Sequence, residues 1–230
     1  MLRAVATLAL IFACSAHAGE AEWKALHDQV MPRLMSGQLE RAEKLARDAL
    51  AEAERTFGPR HRNTEATLAN LALAVRLQQR FEEAEKIYRR ALPLRVASLG
   101  AAHPNTALMK INLADVLQAQ KKYAEAEKLQ REALPVFEKA HGEDPKTATA
   151  LNNLGANLQL QGRHKEAEPL LRRALAMKEI TLGPYHQSVA STLNNLAEVS
   201  LALGRADEAK VFKARVAAIQ QSAAEAKGQK

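Results

Sequence analysis

Seven histidines, one cysteine and many carboxylates are the groups in this 230-residue chain that could do acid–base, nucleophilic or metal chemistry. Their spacing argues against all three. His61, His103 and His186 each follow a glycine by three residues, a linker position where an imidazole caps or braces a turn. His27, His141 and His164 fall at unrelated places. No HExxH pair, no cysteine pair, no GxSxG elbow and no glycine-rich phosphate loop occurs. The reading is a protein with no cofactor, no metal and no catalytic residue. A different chemistry does recur: Asn70, Asn112, Asn153 and Asn195 are each followed by leucine. A carboxamide both donates and accepts, so a ladder of them could pair with any extended backbone, or else brace a neighbouring helix.

The elements that would hold such a ladder are helices in a repeat. The chain is 47% hydrophobic but only 4% aromatic, and its apolar residues are mostly alanine and leucine, the best apolar helix formers. Ala42, Ala84, Ala126, Ala167 and Ala209 are flanked mainly by acidic residues and recur at spacings of 42, 42, 41 and 42. Ala49, Ala91, Ala133 and Ala174 follow seven residues later, with Val216 in the last place. Gly58, Gly100, Gly142 and Gly183 keep the same phase. The single short step is the linker Gly142-Glu143-Asp144-Pro145, which lacks the histidine.

Each unit reads as a helical hairpin. In the second, helix A over Thr67–Gln78 puts Leu68, Leu71, Ala72 and Val75 on one face. Gln79-Arg80 makes the turn, replaced later by Gly162-Arg163 and Gly204-Arg205. Helix B over Phe81–Ser98 buries Ala84, Ile87, Ala91 and Leu92, alanine marking close helix crossings. Glu43–Arg47, Glu85–Arg89, Glu127–Arg131 and Glu168–Arg172 are i,i+4 pairs, read as a solvated face. One hairpin cannot bury its apolar face alone, so the units must stack. Their bounds are 23–64, 65–106, 107–147, 148–189 and 190–219. Trp23 stands in an atypical first unit, and 220–230 reads as a frayed polar tail.

Residues 1–18 read as a secretory signal peptide: Arg3, an apolar run from Ala4, and Ala16-His17-Ala18 before Gly19. The expected location is periplasmic or secreted. The alternative is a lipoprotein signal acylated at Cys14, although Phe12 fits that motif poorly. Residues 19–219 then form the solenoid, without a thiol or a membrane-spanning segment. The net charge of +7, mixed in sign and with few aromatics, argues against nucleic acid as a partner.

Thr192-Leu193-Asn194-Asn195-Leu196-Ala197, then Leu203-Gly204-Arg205 and Glu208-Ala209, resembles the 42-residue tetratricopeptide repeats of kinesin light chains and their bacterial relatives. Leu151-Asn152-Asn153-Leu154-Gly155 and the linker Leu99-Gly100-Ala101-Ala102-His103-Pro104 match as closely. The resemblance spans roughly residues 23 to 219. It implies an all-α right-handed superhelix (a tetratricopeptide solenoid) of about five hairpins, with the A helices lining a concave groove. It implies a scaffold that binds a protein or peptide. The groove asparagines would be Asn70, Asn112, Asn153 and Asn195, with Asn152 and Asn194 beside them and Arg76 and Lys110 as the basic groups. One period before Asn70 stands Asp28, which ends the ladder. A structural or self-associating part in a cell-envelope assembly is the alternative function. The polar last helix (Lys210, Lys213, Arg215) argues against open-ended stacking and leaves weak self-association.

Overall fold

The computed structural model describes the backbone of residues 2–228 and the side chains of residues 18–225. The Cys14 side chain and nearly all of the expected signal peptide's side chains lie outside the described residues. Among the described residues ten helices follow one another: α1 (Leu2–Met35), α2 (Leu39–Phe57), α3 (Arg62–Leu77), α4 (Phe81–Leu99), α5 (Pro104–Ala119), α6 (Tyr123–His141), α7 (Pro145–Leu160), α8 (His164–Leu182), α9 (Gln187–Ala202) and α10 (Ala206–Gly228). They pair as five antiparallel hairpins, so the fold is an all-α solenoid of the expected class. No described helix is long and apolar enough to cross a membrane.

The chain divides into two compact units, Met1–Ala101 and Ala102–Lys230. In the first, α1 pairs with α2 and α3 with α4, and α3 packs on α2 and beside α1. In the second, α5/α6, α7/α8 and α9/α10 stack in order, so that α5, α7 and α9 lie side by side.

Both turns of the repeat have a local cause. Between A and B the chain makes a Schellman turn: Arg80 N donates to Val75 O at 3.2 Å and Gln79 N to Arg76 O at 2.9 Å. The turn residue has a positive φ in every hairpin: Gly37 (74°), Gln79 (61°), Lys121 (62°), Gly162 (76°) and Gly204 (78°). Between hairpins the linker glycine takes φ 88°, ψ 167° at Gly58 and similar angles at Gly100 and Gly183. Only glycine occupies that region freely. The next helix then starts at once. His61, His103 and His186 accept the backbone N–H of Asn63, Asn105 and Ser188 on Nδ1, each at 3.1 Å. In the short third linker Asp144 takes over, accepting Lys146 N–H at 2.6 Å. These caps start the A helices three residues before the expected units at 65, 107, 148 and 190.

The spaced alanines are the core. Ala42, Ala84, Ala126, Ala167 and Ala209 are buried, as are Ala49, Ala91, Ala133, Ala174 and Val216. On α3 the face Leu68, Leu71, Ala72 and Val75 is buried as read from its spacing. On α4, Ala84 and Ala91 are buried but Ile87 and Leu92 only partly. Glu85 and Tyr88 take the inward places instead.

Candidate functional site

The asparagines stand half-buried on the A helices, at the middle of α3, α5, α7 and α9. Three of them reach sideways to the preceding A helix of their own unit. Asn70 Nδ2 meets His27 Nε2 on α1 at 3.5 Å. Asn153 Nδ2 donates to Asp115 Oδ1 on α5 at 3.2 Å, and Asn195 Nδ2 to Asn152 Oδ1 on α7 at 3.2 Å. Asn112 has no side-chain partner among the described residues. The ladder is therefore a brace along the row of A helices, with one amide left free at α5. Each bracing amide keeps further donor and acceptor capacity toward solvent.

The other expected site residues are brought together unevenly. Asn152 is buried, its Oδ1 accepting both Asn195 and the Thr192 hydroxyl at 3.0 Å. Asn194 is exposed on α9 and Arg76 is half-buried on α3. Lys110 does not stand free: its amine bonds Glu132 on α6 at 2.9 Å and its side chain is only 11% exposed.

The first unit closes its A-helix row with an aromatic cluster. Trp23 stands edge-on to Phe57 at 5.4 Å, and Phe57 stacks on His61 at 4.8 Å. The Trp23 Nε1–H donates to the Thr67 hydroxyl at 2.9 Å, and that hydroxyl donates to Asn63 O at 2.8 Å. His27 Nδ1 lies 3.2 Å from the same hydroxyl. With Asn70 donating to Nε2, this network requires the tautomer that carries its proton on Nδ1. Burial pushes His27 below the ordinary imidazole range, which keeps that ring neutral. The expected ladder end, Asp28, points elsewhere and pairs with Lys24 at 2.6 Å.

The glutamates read as a solvated face are staples between hairpins. Glu43 accepts Arg47 of its own helix and Arg80 of the next hairpin, each at 2.7 Å, and Arg47 and Arg80 both reach Glu83. The same four-membered cluster recurs as Glu127, Arg131, Arg163 and Glu166, and as Glu168, Arg172, Arg205 and Glu208. Glu43, Glu127 and Glu168 are only 12–20% exposed. The expectation fails because i,i+4 spacing shows the partner on the same helix and not the turn arginine laid over it. For Glu43, burial works against ionisation. Hydrogen bonds from Arg47, Gln78 and Arg80 outweigh it and hold the carboxyl below its usual range. At Glu168 the bond from Arg205 does this against burial, with help from Arg172.

Two buried polar features went unread in the sequence. Asn157 Nδ2 donates to Gln130 Oε1 at 2.9 Å and to Tyr123 O at 3.0 Å, fixing α7 on α6. Lys178 of α8 is only 3% exposed and donates to Ser188 O at 3.1 Å and the Thr192 hydroxyl at 2.9 Å on α9. No carboxylate among the described residues answers it, and burial lowers its pKa to about 8. Aligning the repeats by phase would have exposed both, since Asn157 stands where Val116 and Val199 stand in the neighbouring repeats.

Among the described residues no group of three or more His, Cys, Asp or Glu could hold a metal ion. The tetratricopeptide-repeat family model matches residues 33–97, 105–180 and 147–222. No curated protein sequence matches the chain significantly. Among solved structures, nearly identical repeats of a putative kinesin light chain from Podosopora anserina share 24% identity. That match covers 87% of this chain and 95% of that one, with a TM-score of 0.72. BtubC (BKLC) from P. vanneervenii is 24% identical over 92% of this chain and 90% of its own, with a TM-score of 0.73. PilF of Pseudomonas aeruginosa is 20% identical over 87% and 77%, with a TM-score of 0.62. At these identities the likeness is one of fold alone. With its repeats matched along most of its length, the chain belongs to the tetratricopeptide-repeat family.

Proposed function

We propose that the row of A helices α5, α7 and α9 binds an extended peptide segment or protein surface through its carboxamides. The observation that carries this reading is Asn112. It is half-buried, in register with two bracing asparagines of the same unit, and without a side-chain partner among the described residues. An amide held in place yet unused offers a donor and an acceptor to a passing backbone. Exposed Asn194, and the remaining capacity of Asn153 and Asn195, extend the same row. Residues 1–18, read from the sequence as a leader, support export to a periplasmic or extracellular location, with Cys14 acylation as the variant of that reading.

Asn112→Ala is the discriminating change, because it breaks no bond seen inside the protein, whereas Asn153→Ala and Asn195→Ala also remove braces. Affinity capture from an envelope extract, with thermal melting as the check on folding, reads it out. The reading expects a partner held by the parent and lost by Asn112→Ala at an unchanged melting temperature. Equal capture by both would overturn it. A partner consisting only of further copies of the chain would favour a self-associating structural role.

A further inference from the structure

The junctions between neighbouring A helices repeat, yet they are closed differently. Thr67, Ala150 and Thr192 occupy one place in the repeat. At α1/α2/α3 the Thr67 hydroxyl receives Trp23, and at α7/α8/α9 the Thr192 hydroxyl receives Lys178, each donor at 2.9 Å. At α5/α6/α7 the threonine is replaced by Ala150. The residue in Trp23's place is Ala107, and the one in Lys178's place is Phe137. Neither of these two places carries a long polar side chain. A recess of about 320 Å³ opens there, with Ile111, Phe137 and Ala150 among its walls and half-exposed Leu108 at its edge.

Such a volume is at the lower end of small-ligand pockets and holds about ten water-sized groups. Its walls are mainly apolar, and its polar lining includes His141 and Lys146. The Lys146 side chain is exposed and has no acidic partner among the described residues. Asp144 nearby spends an oxygen on the Lys146 backbone N–H as helix cap. A mainly apolar recess with a lysine in its lining suits a ligand with one compact apolar body and one anionic group.

We infer that the α5/α6/α7 recess binds a small amphiphilic carboxylate, a medium-chain fatty acid in chemical class, its tail against Phe137 and Ile111 and its carboxylate at Lys146. This site is separate from the peptide row: the ligand needs no amide of Asn112. A small ligand fits the recess because its lining is mainly apolar and its volume, about 320 Å³, holds one compact body.

Titration of the full chain with octanoate, beside 1-octanol, tests the assignment by calorimetry. The expected result is saturable one-to-one binding of octanoate, about fivefold tighter than the alcohol. Lys146→Met should erase that preference. Leu108→Glu, at an exposed position, should weaken octanoate further by setting a like charge at the edge. Ala150→Phe should fill the recess and abolish binding; should that variant not fold, Leu108→Glu decides. Asn112→Ala should leave octanoate binding unchanged, so failure of the peptide reading and failure of this one are separable. Absence of saturable octanoate binding, or octanoate binding undiminished by Leu108→Glu, would overturn the assignment. So would a parent that ignores octanoate while Leu108→Glu loses a captured peptide, which would make the recess a side-chain anchor.

Discussion

The α1/α2/α3 junction of the first unit and the α5/α6/α7 junction of the second are built on the same repeat, yet one is plugged and the other open. In the first, an indole fills the space and its N–H ends on Thr67. In the second, alanines stand at both corresponding places and leave a recess of about 320 Å³. The backbone registers, capped starts and Schellman turns are alike in the two. The lesson is that the repeat's recurring residues set the scaffold, while a few non-recurring ones decide whether a junction is core or site.

The comparison breaks most visibly at Trp23. Trp23→Ala should make the first junction resemble the second, losing the ring contacts with Phe57 and the bond to Thr67. For a half-buried indole we expect a loss of about 2–3 kcal/mol, read from urea unfolding. Loss below about 0.5 kcal/mol would mean the indole lies on the junction without closing it.

Next comes the third junction, closed by an amine. Lys178 has its folded-state pKa lowered to about 8 by burial, below the 10.5 of an unburied lysine. Between these values the unfolded chain binds more protons than the folded one, so stability should rise as pH increases through that window. Lys178→Met should flatten that rise and stabilise the chain by about 1–2 kcal/mol below pH 8, where the amine is otherwise charged in the core. An unchanged slope in the variant would show that the amine finds water. Filling the open junction instead, with Ala150→Met, should add about 1 kcal/mol, which checks that the recess is a packing vacancy.

Much of this was legible in advance. Spacing gave the five hairpins, the buried alanines and the turn positions, because these recur and recurrence is what a period measures. The roles of Glu43, Glu127 and Glu168 were not legible, since a period along one helix says nothing of the arginine arriving from the next hairpin. The asparagine row was found, but its direction was not. Whether Asn153 turns to a ligand or to Asp115 depends on the side chain across the helix row. Lys178 and the recess stayed hidden for the opposite reason: they are departures from the repeat, and only comparing Thr67, Ala150 and Thr192 column by column brings them out.

The smallest effect concerns the caps on either side of the open junction. α5 starts on His103 and α7 on Asp144, and each accepts the N–H two residues ahead. A histidine accepts there only through an unprotonated Nδ1, whereas a carboxylate is the better acceptor and also favours the positive end of the helix. Asp144→Ala should therefore cost about 1 kcal/mol, and His103→Ala about half that, measured as shifts in the urea midpoint. His103→Asp should raise stability by a few tenths of a kcal/mol, since a carboxylate accepts the N–H more strongly than an imidazole does. Were His103→Asp destabilising, the ring of His103 would be holding the linker by packing rather than by its bond.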